Sequence, residues 1–321
     1  MKKQHILKIG LLVLSFLAVS CASPYASVKG LNTMEELEYP FPVKKQLLSS
    51  GAEVAYVDEG TGSETIILVH GLGSYLPAWK KNIIALRDSY RVIALDLPGY
   101  GRSSKGPWEG SLEFFSSTVL ELADSLEIDV FVMGGHSMGG QITLLTALQH
   151  PNRVKALVLA APAGFETFND GEKEWFRSVA TPSLTKLANA KTIQENVAVN
   201  FYHMPDDTEF MITDRLAIRS AKEFDGYAYI ISKSIKAMVD RPVYDYLNKI
   251  KQPVLVFYGE ADQLIPNRFL TGGKTETIAQ KGIEQLENGT LHMVPKAGHF
   301  VQFEQSEEFN TKTKEFLQQL H

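Results

Sequence analysis

Four glycines crowd around one serine in the stretch VMGGHSMGGQ, residues 132–141. Glycine weakens strands and helices alike, yet here it sits where an apolar strand pattern runs into an apolar helix pattern. Gly135-His136-Ser137-Met138-Gly139 places small residues two before and two after the serine. That spacing predicts a turn so sharp that the backbone passes close to itself, with Ser137 strained at its tip. The turn would lift the hydroxyl clear of the sheet, at a helix N-terminus whose partial positive charge favours a developing oxyanion.

The chain around this turn alternates. VAYVDEG reads as a strand, TIILVHG and RVIALDLPG as continuous apolar runs of the type buried on both faces of a parallel sheet. VFVMGG, VKALVLAAP, PVLVFYGE and LHMVP supply further strands. Between them, LPAWKKNIIALRD has helical spacing with Trp79, Ile83 and Leu86 on one face, SLEFFSSTVLELADSLE has Ser111 as its N-cap, and SEEFNTKTKEFLQQL closes the chain as a helix. This alternation predicts an α/β fold, an open and mostly parallel sheet with helices on both faces. Residues 163–244 break the rhythm: they hold eleven aromatics, and Ile231, Ile235 and Met238 are spaced as on a helix. So long a loop is improbable inside a compact domain, and the segment is expected to be an inserted helical lid. The core is accordingly expected over 44–162 and 245–321.

A serine hydroxyl needs a base to take its proton, and the base needs an acid to orient it. GEADQLIP puts Asp262 just beyond a buried strand, and KAGHF puts His299 in the loop after the last one. The order Ser137, Asp262, His299 is the serine–acid–histidine order. Other candidates read as structural. His70 is expected to support its loop, His136 to pack into the sheet, His150 to sit at a helix end, and His203 and His292 to be structural. Asp96 of DLPG is expected to brace a turn, and Glu166 lies too far along to rival Asp262.

From about residue 44 to its end the chain resembles the α/β-hydrolases, in VHGLGS, DLPGYGRSS, GHSMGG, GEADQLIP and AGHF, in that order. The resemblance implies an oxyanion hole formed by the backbone N–H groups of Leu72 and Met138, with Gly71 and Gly73 letting the loop turn its amides inward and Gly135 and Gly139 shaping the elbow. It implies hydrolysis of a small-molecule ester through an acyl-enzyme, the aromatic-rich insertion suggesting an apolar acyl or alcohol group. Relatives that use an aspartate nucleophile do not fit Ser137. Carbon–carbon bond hydrolases remain open, since GHFVQFE is similar to their GHWAQWE-type segment with Phe300 and Phe303 in place of tryptophans. Cofactor-free haloperoxidases, acyltransferases and a non-catalytic, ligand-binding hydrolase-like domain remain open too. No metal-ligand cluster or phosphate loop is present in the pattern, so neither metal nor cofactor is expected.

The N-terminus carries a separate message. Lys2, Lys3 and Lys8 precede the apolar run Ile9–Val19, shorter than the roughly 20 residues a membrane-spanning helix needs. LAVSCAS resembles the lipobox of bacterial lipoproteins, which implies a signal peptide over 1–20 and lipid attachment at Cys21, the sole cysteine. Residues 21–43 then form a tether and a brief helix, opened by a capping box of Thr33 and Glu36. The expected protein is exported and lipid-anchored in the cell envelope, with Ala22 and Ser23 favouring the outer membrane in a Gram-negative cell. Its net charge is −5, which argues against nucleic acid as a partner. Oligomeric state is not legible.

Overall fold

The computed structural model describes residues 24–320, so the signal segment, Cys21 and the lipid anchor lie outside the described residues. Eight strands form one sheet: β1 (Lys44–Leu47), β2 (Glu53–Glu59), β3 (Thr65–Val69), β4 (Arg91–Leu95), β5 (Phe131–His136), β6 (Val154–Ala160), β7 (Val254–Gly259) and β8 (Gly289–Val294). Their order is β1-β2-β4-β3-β5-β6-β7-β8. β1 and β2 pair antiparallel, β2 meets β4 antiparallel, and every pairing from β4 to β8 is parallel. This is the expected α/β architecture.

Period-two alternation sorts the side chains of the central strands onto two faces. On β3, Ile66 and Leu68 join one core cluster while Ile67 and Val69 join the other. The first cluster is roofed by α1 (Lys80–Leu86) and by α11 (Ser306–Gln318), through Ile83, Leu86, Phe309 and Leu317. Trp79 belongs to it as well, from a 3-10 turn, Leu76–Trp79, that leads into α1. The second cluster takes Leu112 and Phe115 of α2 (Leu112–Ser125) and Ile142 of α3 (Met138–Gln149). Ser111 caps α2 by accepting the Phe114 N–H at 3.0 Å.

Between β6 and β7 the chain leaves the sheet and forms α4 (Asp170–Val179), α5 (Pro182–Leu187), α6 (Ala190–Ala198), α7 (Glu209–Ala217) and α8 (Phe224–Asp240). Asparagine caps start two of them: Asn169 accepts from Glu172 at 3.0 Å, and Asn189 accepts from Thr192 at 2.9 Å. α4 and α5 bury none of their residues. Their apolar side chains therefore serve something other than a closed core.

Residues 28–41 lie against the body rather than running free. Met34 and Leu37 are buried in the main core, and Leu31 N–H donates to Ala217 O at 3.0 Å. The short 3-10 turn Met34–Glu36 is opened by Glu36, whose carboxylate accepts the Thr33 N–H at 3.1 Å. Among the described residues no helix is long and apolar enough to cross a membrane.

Candidate active site

The turn between β5 and α3 has the strain its sequence predicts. Ser137 has φ 54° and ψ −116°, a conformation that costs an L-residue about 1–3 kcal/mol. A Cβ placed on Gly135 would stand 2.3 Å from Gly139 O, and one placed on Gly139 would stand 2.2 Å from Val69 O. Neither neighbour is a flexible side-chain end, so neither can give way. We expect Gly139→Ala to destabilise the protein by at least about 2 kcal/mol in urea unfolding. A midpoint unchanged from the parent would contradict this reading of the turn.

Asp262 lies just beyond β7. Its side chain is fully buried, and Oδ1 accepts the N–H groups of Leu264 at 2.8 Å and Ile265 at 3.1 Å. The other oxygen, Oδ2, accepts from His299 Nδ1 at 2.8 Å. With Nδ1 as donor, His299 Nε2 is left with a free lone pair, the form a general base needs. Ser137 and His299 line one cavity, and no hydrogen bond joins their side chains. Such contacts commonly tighten only when substrate binds. The structure thus brings Ser137, Asp262 and His299 together across three segments of the chain.

The loop after β3 lies on the serine. A Cβ on Gly71 would come within 3.1 Å of Ser137 Cβ, and Leu72 lines the same cavity. Among the described residues the amides of Leu72 and Met138 donate to no other group. Met138 opens the twelve-residue α3, so its N–H sits at the positive end of that helix. Gly73, at φ 66°, turns the loop; Arg215 Nη2 packs 3.1 Å from where a Cβ would be. His70 holds the loop from below: Nδ1 donates to Gly71 O at 2.8 Å, and Nε2 accepts the Leu97 N–H at 3.1 Å.

His136 does more than pack. Its Nε2 donates to the carbonyl of His299 at 3.0 Å, while its buried Nδ1 has no partner and faces Gly71. Burial, reinforced by the neighbouring His299, holds its pKa well below the usual histidine value; burial lowers that of His70 too. Both are therefore neutral in the folded state. The unfolded chain binds protons at these positions once pH drops below about 6.5, so stability must fall as pH falls through that value. Each histidine adds up to about 1.4 kcal/mol per pH unit to the slope. Urea titrations at pH 7.5, 6.5 and 5.5 check this, and a flat profile would contradict it.

Asp96 stays away from the cavity. It accepts the N–H groups of Leu76 at 2.8 Å and Arg102 at 2.8 Å, and so braces the turns after β3 and β4. Glu166 lines the cavity but accepts from the Asn267 N–H at 2.8 Å; it does not touch His299. Its pKa is raised, chiefly by burial. His292, with no partner evident in the sequence, meets Glu308 at 2.7 Å. Among the described residues no three His, Cys, Asp or Glu side chains converge as metal ligands would.

The cavity itself has a volume of about 400 Å³, within the range of small-molecule sites. Its walls come largely from the insertion: Phe168, Trp175, Phe176 and Val179 on one side, Ile235 and Met238 of α8 on another. Leu264 and Ile265, from the loop that carries Asp262, complete it. Its lining is overwhelmingly apolar, and Lys173 is the one cation among the described lining residues. Three contacts escaped the sequence reading: the His136–His299 hydrogen bond, Arg215 against Gly73, and the Tyr202 N–H donated to Glu304. Each joins distant segments, which no local pattern announces.

Residues 64–306 match the α/β-hydrolase fold family, and the chain belongs to that family. Over 260 residues it is 34% identical to the dihydrolipoyllysine-residue acetyltransferase component of an acetoin cleaving system from Pseudomonas putida; the match takes in 80% of this chain and 64% of that longer protein. It is 30% identical over 284 residues to a 2-hydroxy-6-oxononadienedioate/2-hydroxy-6-oxononatrienedioate hydrolase from Paraburkholderia phymatum, covering 85% of this chain and 94% of the relative. Among solved structures, a thermophilic esterase from Thermogutta terrifontis superposes with a TM-score of 0.70 at 26% identity, over 87% of this chain and 99% of that one.

Proposed function

We propose that the protein hydrolyses carboxylic esters with an apolar acyl or alcohol group, through an acyl-enzyme on Ser137. The observation that carries this reading is the Asp262–His299 pair at 2.8 Å, whose imidazole lines an apolar cavity together with a serine held in a strained turn. In the first half-reaction His299 Nε2 takes the hydroxyl proton as Oγ attacks the ester carbonyl, and the tetrahedral oxyanion is met by the Leu72 and Met138 amides. His299 then gives the proton to the departing alkoxide. Water, deprotonated by the same imidazole, releases the acid and restores Ser137. Asp262 keeps the imidazole in one tautomer and stabilises its charged form. Residues 163–244 act as the lid over this chemistry, excluding water and fitting the apolar group of the substrate.

A second reading, cleavage of a carbon–carbon bond in a keto acid, draws on Arg215 and on the relative from P. phymatum, whose name denotes a diacid substrate. Arg215 has no ion-pair partner among the described residues and reaches the turn at Gly73. A carboxylate buried in an apolar cavity needs such a cation. Against it, Arg215 is not among the residues that line the cavity with Ser137 and His299, and that lining is apolar and already contains the carboxyl of Glu166. The two readings part on substrate: the ester reading expects p-nitrophenyl esters of apolar acids to be turned over far faster than a 2-hydroxy-6-oxo-dienoate. Arg215→Met would then leave ester turnover within about threefold of the parent. Preferred turnover of the dienoate, lost in Arg215→Met, would replace the ester reading with the second.

Anchoring belongs to the same proposal. Cys21 carries a lipid that tethers the hydrolase to the cell envelope. Cys21→Ser should move the protein from the membrane fraction to the soluble one, with ester turnover unchanged; membrane retention in the variant would contradict the anchor.

A further inference from the structure

Glu304 ends α10 (Val301–Glu304), five residues after His299. Its carboxylate has no ion-pair partner among the described residues. Instead it accepts three backbone N–H groups, from Gly298 at 2.8 Å and Tyr202 at 3.1 Å on Oε2 and from His203 at 2.6 Å on Oε1. Gly298 immediately precedes His299, whereas Tyr202 and His203 belong to the insertion, in the strap that follows α6. Neighbouring contacts tie the same two segments. Phe300 N–H donates to Asn200 O at 3.1 Å, and Phe201 stacks on Phe300 with ring centroids 5.4 Å apart. A Cβ on Gly298 would stand 2.5 Å from Asn200 O, so strap and loop meet backbone to backbone.

We infer that Glu304 is a positioning residue for His299, fastening the loop that carries the imidazole to residues 200–203 of the insertion. The inference rests on the reading of His299 as the general base. Hydrogen bonds to an ionised acceptor are roughly twice as strong as neutral ones, and here three of them converge on one carboxylate. Gly298 has no side chain to restrain its own torsions. The His299 loop is therefore held from two directions: on the carbonyl side by His136 Nε2 at 3.0 Å, on the amide side by Glu304. Asp262 sets the rotation of the imidazole, but it cannot by itself fix where the loop stands relative to Ser137. A misplacement of about 1 Å can cost on the order of a hundredfold in rate.

Two substitutions grade the effect. Glu304→Gln keeps the shape and one oxygen, which can still serve Gly298 and Tyr202, but it turns an NH₂ group toward the His203 N–H. Glu304→Ala removes all three acceptors. The purified full chain and both variants are compared in p-nitrophenyl ester turnover and in the rate at which a fluorophosphonate modifies Ser137, with His299→Ala alongside. The expected result is a fall in kcat of about tenfold for Gln and about a hundredfold for Ala, with KM within about threefold and labelling slowed in the same ratio. A raised KM with parental labelling would assign Glu304 to the lid alone. A lowered unfolding midpoint with parental kcat would assign it to stability alone. Either outcome overturns the inference, and if Glu304→Ala does not fold, Glu304→Gln decides. His299→Ala separates the two levels. If it labels at the parental rate, the base reading itself fails. If it is inert while both Glu304 variants label normally, only the positioning role fails.

Discussion

Ser137→Ala is expected to lower kcat for p-nitrophenyl esters by at least about 10⁴-fold, because the acyl-enzyme route then has no nucleophile. The residual rate would come from water attacking a carbonyl still polarised by the Leu72 and Met138 amides, a contribution worth on the order of 10³–10⁴ over the uncatalysed reaction. Folding should survive. Ser137 is partly exposed to the cavity, and its φ of 54° would be no easier or harder for alanine than for serine. The measurement is steady-state turnover of parent and variant at matched unfolding midpoints. Equal rates would remove Ser137 from the chemistry altogether.

Asp262→Asn should cost about 10⁴-fold in kcat while changing the geometry little. The reason lies in which nitrogen carries the proton. Asp262 Oδ2 accepts from His299 Nδ1 at 2.8 Å, and its other oxygen is occupied by the N–H groups of Leu264 and Ile265. In the asparagine variant the carbonyl oxygen would stay with those two backbone donors and the NH₂ would face the imidazole. Nδ1 would then have to accept, Nε2 would carry the hydrogen, and the base would have no lone pair for the Ser137 proton. Loss of the imidazolium's buried counter-charge adds to the penalty. A full pH–rate profile makes the test sharper: as pH rises and hydroxide takes over the role of base, part of the activity of Asp262→Asn should return. A variant within tenfold of the parent at neutral pH would show that another group orients His299. Glu166 is the nearest rival by sequence, but its carboxylate is engaged with the Asn267 N–H.

The site was readable in the sequence to the extent that its chemistry imposes local strain or local order. The elbow needs glycine at 135 and 139 because Cβ atoms there would strike backbone oxygens, and that demand leaves a mark within five residues. Asp262 follows a strand with a continuous apolar pattern, and His299 lies in the loop after the last, half-buried strand, so chain order and composition mark both positions. The face shared by Ile231, Ile235 and Met238 marks a helix, α8, three of whose residues, Ile235, Met238 and Val239, line the cavity. By contrast β1, Lys44-Lys45-Gln46-Leu47, was invisible as a strand. It is an exposed antiparallel edge whose polar side chains carry no burial signal, and such edges are often kept polar to discourage pairing with other chains. Thr275–Ile283, which forms a helix labelled α9 in chain order, is short and mixed in character and was missed for a similar reason.

Roles that depend on contacts between distant segments left no trace. His136 read as a sheet-packing residue, yet it hydrogen-bonds the backbone of a residue 163 positions away. Among the aromatics of the insertion, Phe165 and Phe201 went into cores while Phe168, Trp175 and Phe176 went to the cavity wall. Composition gave the number of rings available. Only packing decided which of them a substrate would meet. Residues 28–41 show the converse case: a segment that reads as the end of a tether and a brief helix places Met34 and Leu37 in the main core.

The most direct test of the account is the site and rate of covalent modification by a fluorophosphonate, read by mass spectrometry of the intact protein and of its peptides. One adduct per chain is expected, on Ser137, formed at least about a thousandfold more slowly in His299→Ala and absent in Ser137→Ala. An adduct on any other residue, or a His299→Ala variant modified as fast as the parent, would contradict it.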